Sequence, residues 1–177
     1  MGSQSLVGGR QVIGYLMLVI ILSMPAAFAF SAPLFKRLGA DAYAQATYEA
    51  FAPFCHQLDD RSLLAFGYKV AVCARCTGVY SGLILSALVL PLYRGIGRKD
   101  APEGWILLMS FAPLLLDGST QLIGLRQSTN AVRFATGLVF GAGLVPYLAA
   151  AVSRLTEWCP TNPRPVTPAG RWDGLAK

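Results

Sequence analysis

Cys55 and His56 sit side by side, and sixteen residues further on Cys73-Ala74-Arg75-Cys76 brings two more thiols into the same segment. A Cys-x-x-Cys knuckle lets two thiolates reach one ion, and zinc takes four such ligands in a tetrahedron at roughly 2.0–2.3 Å. Cys55, His56, Cys73 and Cys76 supply that set. Neighbouring residues share an ion only where the backbone accommodates them, so Asp59 or Asp60 is the substitute for His56. Two other chemistries compete for the same residues. A disulfide suits an oxidising compartment but leaves one of the three thiols over. Thiol–disulfide exchange with a quinone as electron acceptor is the other, since Arg75 and a nearby helix start both lower a thiol pKa. The metal site accounts for most of the donors and is the leading expectation. Cys159, far along the chain, is expected to be a bystander.

A second constellation lies further along: Asp117-Gly118-Ser119-Thr120-Gln121, then Arg126, Ser128, Asn130 and Arg133. Asp117 interrupts an otherwise apolar run, where a carboxylate costs at least ~2.5–3.5 kcal/mol on insertion scales and therefore needs a partner. Arg133 or Arg126 is the expected ion-pair partner. Asp117, Arg126 and Arg133 are the catalytic candidates, while Gln121, Asn130, Arg126 and Arg133 are candidates to hold a cofactor or ligand. Two arginines exceed what one aspartate neutralises, which points to an anionic head group or a quinone oxygen. The competing reading is a clamp that only fixes helix packing.

The elements that must position these residues are membrane helices. Of 177 residues, 54% are hydrophobic and only 14% charged, and the mean hydropathy is +0.50. Soluble domains run nearer 25% charged, so lipid is the solvent for much of this surface. Apolar runs span Val12–Phe30, Thr77–Leu92, Trp105–Leu125 and Val132–Ala151. Each approaches the ~20 residues that cross a ~30 Å hydrocarbon core, and in lipid such runs must be helical. The second run is short, so its helix begins a turn or two earlier, between Val70 and Cys76. The expected fold is an all-α bundle of four transmembrane helices over residues 1–159, with a Cys/His loop at 32–76 and a tail from 160 to 177 that is disordered. Ala40–Phe54 reads as an interfacial amphipathic helix with Tyr43, Thr47, Phe51 and Phe54 near one side. Gly78 with Gly82, and Gly137 with Gly141, form Gly-x-x-x-Gly spacings suited to close helix packing.

Arg10 followed by an apolar run, Pro25 and Ala27-Phe28-Ala29 also fits a secretory signal peptide, but the run is long for one, and a retained helix is the expectation. Either way, the segment beyond Ala29 lies outside the cytoplasm. The net charge of +6 is spread over basic residues that flank the apolar runs, as at membrane edges. No basic stripe marks a nucleic-acid binder. With Leu6 in the place of Ser or Thr, the Met-Gly start is a poor myristoylation signal. Eight basic residues fall on one side of the four-helix layout and seven on the other. Arg94, Arg98 and Lys99 share one short loop, the kind that the positive-inside rule weights most. That places both termini and the 93–104 loop in the cytoplasm, with the Cys/His loop outside.

Cys55-His56-Gln57, Arg61-Ser62 and Val72-Cys73-Ala74-Arg75-Cys76-Thr77-Gly78-Val79-Tyr80 resemble the signature of a family of small bacterial membrane proteins, domain of unknown function 2085. The stretches 117–121 and 126–133 resemble that family's second motif. The resemblance implies a polytopic bacterial membrane protein, in the inner membrane, whose cysteines and polar third-helix residues belong together. It carries no activity with it. Three functions fit the residues: a binding module or accessory subunit of a larger membrane complex with a zinc site; a metal-dependent enzyme acting on a lipid-linked substrate; or a quinone-linked thiol–disulfide oxidoreductase. The partners expected are the lipid bilayer, other subunits, or a lipid or quinone ligand.

Overall fold

A computed structural model describes residues 2–158, with side chains from position 8 to position 156. In chain order the elements are α1 (Gly2–Arg37), α2 (Asp41–Phe51), a single 3-10 turn (Asp59–Arg61), β1 (Ser62–Ala65), β2 (Tyr68–Cys73), α3 (Ala74–Tyr93), α4 (Gly104–Leu122) and α5 (Asn130–Trp158). The helices α1, α3, α4 and α5 are each long and apolar enough to cross a membrane. Cys159 and the 160–177 tail lie outside the described residues.

At 36 residues, α1 is about 54 Å long, well beyond a ~30 Å hydrocarbon core. It runs on past Phe30 to Lys36 and Arg37, whose charges suit the negative end of the helix dipole. Gly39, at φ 75, then stops it: Ala40 N donates to Phe35 O at 2.9 Å and Gly39 N to Lys36 O at 3.2 Å. That is a Schellman cap. The same motif ends α4 at Gly124 (φ 74), with Leu125 N donating to Thr120 O at 3.0 Å. The apolar run therefore outlasts its helix, and the chain reverses in time to bring Arg126 back over α4.

The central contact is α3 against α5. A Cβ on Gly78 or Gly82 would press into the carbonyl oxygens of Phe134 and Leu138, and one on Gly137 or Gly141 into those of Arg75 and Val79. The two Gly-x-x-x-Gly stripes thus face one another and let the backbones meet, as membrane helices do through small residues. Beside them, Tyr15, Leu18, Leu83, Ala87, Leu90, Val145 and Ala149 form one buried core. The Tyr15 hydroxyl donates to the Ala87 carbonyl. By contrast α4 is peripheral. It packs on α5 through Phe111 against Phe140, with centroids 5.0 Å apart, and buries only Ser110 and Asp117.

Beyond the expected amphipathic helix, the Cys/His loop also carries a β-hairpin. β1 and β2 pair antiparallel, Ala65 opposite Tyr68, around Phe66 (φ 54) and Gly67 (φ 85). Two positive φ values in a two-residue connection make a type I′ turn, which matches the twist of the strands. The usual Asn-Gly signal is missing, so the hairpin could not be read from the turn residues. Val70, Ala71, Val72, Phe51 and Cys55 bury themselves against Ala29 and Ala32 of α1. The α2 helix is three residues shorter at its end than the amphipathic pattern suggests. Thr47 and Phe51 face inward as expected, but Tyr43 is 69% and Phe54 83% exposed, and Ala44 takes the buried place.

The order of the helices leaves two distinct ends. At one, Arg154 Nε donates to Lys99 O at 3.1 Å and Tyr147 Oη to Glu103 O at 2.7 Å. At the other, Asn130 Nδ2 donates to Asp60 O at 3.1 Å, so the hairpin cap and the α4–α5 connection share one face.

Candidate functional site

Three separate elements each deliver one thiol. Cys55 follows α2, where Cys55 N donates to Phe51 O at 2.9 Å, and its side chain is 6% exposed. Cys73 ends β2 and occupies the N-cap position of α3. Its backbone N–H donates to Cys55 Sγ at 3.1 Å. Cys76 stands in the first turn of α3, its Sγ 3.7 Å from that of Cys73. All three sulfurs lie within 4.8 Å of one another. This is too far for an S–S bond of ~2.05 Å, and the three are free thiols. In a tetrahedron of ~2.3 Å metal–sulfur bonds the sulfurs stand ~3.8 Å apart, so the Cys73–Cys76 separation already suits a zinc-type ion. Hydrogen bonding from Cys55 first, and from Cys76 next, holds the Cys73 thiol far below its ordinary range. The N-terminus of α3 adds to this.

His56 is not in that close set. Gln57, at φ 51, turns the chain, and its Nε2 donates to Tyr48 O at 2.7 Å. With both flanks pinned, Cys55 points inward and His56 is exposed on the wall of the cleft the sulfurs face. That cleft is about 400 Å³, and Arg61, Arg75, Gln121 and Arg133 also line it. The proposed substitutes are engaged elsewhere: Asp59 Oδ1 accepts from Lys69 Nζ at 2.7 Å, and Asp60 pairs with Arg61 at 3.5 Å.

The polar cluster lies directly behind. Asp117 is 2% exposed and accepts from Arg75 Nη2 at 2.5 Å, Arg126 Nη2 at 2.9 Å and Gln121 Nε2 at 2.9 Å. Of the two expected partners, Arg126 is present. Arg133 is not: its Nε and Nη2 reach Gln121 Oε1 at 3.3 and 3.1 Å, and its Nη1 reaches Asn130 Oδ1 at 3.1 Å. One turn of α5 separates Arg133 from Gly137, whose contact with the Arg75 backbone decides which guanidinium α4 meets. Arg75 is the partner that the sequence pattern did not reveal. The signal available was its place in the first turn of α3, at the same end of the bundle as the close of α4. Ser119 and Thr120 turn back onto their own helix, bonding Leu115 O at 2.6 Å and Leu116 O at 2.7 Å, and take no part.

A second cavity of about 460 Å³ opens beside the first, among Asp60, Arg61, Arg126, Ser128, Asn130 and Arg133. Chemically, the face offers three convergent sulfur donors next to a wall rich in guanidinium.

The family model described as a predicted membrane protein, DUF2085, matches residues 55–147, a stretch that opens at Cys55 and takes in both clusters. An uncharacterized protein of Methanocaldococcus jannaschii is 38% identical over 124 residues, covering 67% of this chain and 80% of its own. A second uncharacterized protein, from Methanothermobacter thermautotrophicus, is 37% identical over 97 residues, 53% of this chain and 83% of its own. No solved structure matches the chain. Both relatives are archaeal, so the bacterial origin implied by the resemblance gains no support from them. With four helices among the described residues long and apolar enough to cross a membrane and a match over more than half its length, the chain belongs to the predicted membrane protein family DUF2085.

Proposed function

We propose that the chain is a membrane-embedded metal-binding module, in which Cys55, Cys73 and Cys76 hold a zinc-type ion and staple the hairpin cap to the start of α3. It serves as a binding module or as an accessory subunit of a larger membrane complex. The observation that carries this reading is the convergence of three sulfurs from three elements within 4.8 Å. Thiolates select soft or borderline ions, and three of them with one divalent ion leave a charge of about −1. The N-terminus of α3, where Cys73 and Cys76 stand, offsets part of that charge. The cysteine face is extracytoplasmic and both termini cytoplasmic, from the basic residues crowded into the 93–104 loop.

A second reading, a metal-dependent enzyme acting on a lipid-linked substrate, is favoured by one feature. Three sulfurs leave a fourth position towards the cleft, and catalytic sites keep one open. An ion bound there would supply Lewis acidity to whatever enters. Asp117 suits a counter-ion better than a general base, since two guanidinium groups and an amide already engage it.

Purification in detergent without chelator, with metal and free thiols counted per chain, tests the proposal. About one zinc per chain is expected, lost in Cys73→Ser and in Cys76→Ser with the remaining thiols reduced. Metal retained in His56→Ala favours the open three-thiolate site, and its loss there makes His56 the fourth ligand of a structural one. Wild type without metal, and with two cysteines oxidised, would sink the proposal and leave the quinone-linked thiol–disulfide chemistry standing.

A further inference from the structure

Arg133 is 6% exposed, and among the described residues its guanidinium meets only the neutral amide oxygens of Gln121 and Asn130. A buried charge without a counter-charge costs several kcal/mol, and at the edge of a membrane it marks a ligand pathway more often than a structural accident. Around it, the carboxylates are already taken. Asp117 serves Arg75 and Arg126, Asp60 serves Arg61 and Asp59 serves Lys69, so no carboxylate of the 3-10 turn or of α4 is left for Arg133.

We propose that the cavity between the 3-10 turn, the α4–α5 connection and the start of α5 is an oxyanion site for a phosphate group. Arginine carries five N–H donors. Three of those on Arg133 are used, on Nε, Nη1 and Nη2, which leaves one on each terminal nitrogen. That pair matches two oxygens of one phosphate, the bidentate geometry at which arginine excels. The 29-residue α5 begins at the cavity wall with Asn130, so the positive end of its dipole faces the same space. Val132 N already donates to Thr129 Oγ1 at 3.4 Å and the Ser128 hydroxyl to Thr129 O at 3.4 Å, so the guanidinium groups carry the site. Arg61 and Arg126, with side chains 47% and 53% exposed, stand at the rim, where they can gather an anion from the bilayer surface or from water. The phosphate comes either from a lipid headgroup or from a soluble compound; the site chemistry is the same for both.

The test uses the full chain in phosphatidylcholine nanodiscs. Inorganic phosphate is titrated in and followed by phosphorus NMR and thermal unfolding, and parallel discs carry dioleoyl phosphatidate. Saturable binding with a Kd of about 1 mM or tighter, weakened about tenfold or more in Arg133→Gln and in Arg61→Gln, supports the site. Arg98→Gln, at the opposite end, leaves binding unchanged. Because Arg61 is at the surface, its variant reports on binding even where Arg133→Gln does not fold. Saturation by inorganic phosphate identifies a soluble source, and saturation by phosphatidate alone identifies a lipid headgroup. Failure of both to saturate below about 10 mM, or undiminished binding in Arg61→Gln and a folded Arg133→Gln, overturns the proposal.

Discussion

Replacing Gly137 by alanine inserts a single methyl group at the point where α5 meets α3. The new Cβ would sit on the Arg75 carbonyl oxygen, and it would also stand 3.0 Å from Val79 N and 3.2 Å from Arg75 C. All three are backbone atoms, so no side chain can swing aside. Carbon contacts are comfortable at ~3.5–4.0 Å, and relieving the overlap therefore takes a parting of the helices by about 1 Å. Overpacking of this kind costs typically 1–3 kcal/mol. The rigidity of the opposing backbone puts Gly137→Ala in the upper half of that range, about 2–3 kcal/mol, or roughly 4–12 °C in Tm for a chain of this size. Gly8→Ala is the control. Nothing lies within 4 Å of its Cβ, and alanine there raises helix stability by about 0.5–1 kcal/mol. Thermal unfolding of both variants in one detergent gives opposite shifts. Because Arg75 is carried on the displaced backbone, the Gly137 variant should also lose part of its bound metal. A Gly137→Ala protein that melts within about 1 °C of wild type would refute the close α3–α5 contact and the positioning built on it.

Two further outcomes rest on the same geometry. Asp117→Asn leaves Arg75 and Arg126 without their carboxylate. Breaking such a buried pair costs about 3–5 kcal/mol, and the half-exposed Arg126 places this case at about 3 kcal/mol; unfolding of the variant within about 2 °C of wild type would show that the cluster is not a clamp on α4. For orientation, Phe54→Cys, with Phe54 83% exposed on the cysteine face, should react with an impermeant maleimide on intact cells. Asp100→Cys, at the other end with a side chain 85% exposed, should react only after permeabilisation, as read by peptide mapping, and the reverse pattern inverts the topology.

Much of this protein is legible in the order of its residues. Four apolar runs in lipid can only be helices, and their order alone puts the cysteine segment and the α4–α5 connection on one face. Cys73 and Cys76 are held close by a three-residue spacing, and Asp117 had to be paired wherever it lay. Partner choice was a different matter. Arg75, Arg126 and Arg133 are equivalent as charges, and only the rotation of α3 against α5, set where Gly78 and Gly137 let the backbones touch, sends Arg75 to Asp117 and leaves Arg133 with amides. His56 stands beside Cys55 in the sequence but outside the close sulfur set. The positive φ of Gln57, a conformation no sequence period encodes, helps turn it out to the rim. The hairpin likewise depends on packing rather than on turn residues, since Phe66 holds a left-handed conformation that the pairing of β1 with β2 imposes. Local chemistry names the donors, because spacing and hydropathy act along the chain. Which donors meet is decided by close packing between elements far apart in sequence, and that belongs to the tertiary structure alone.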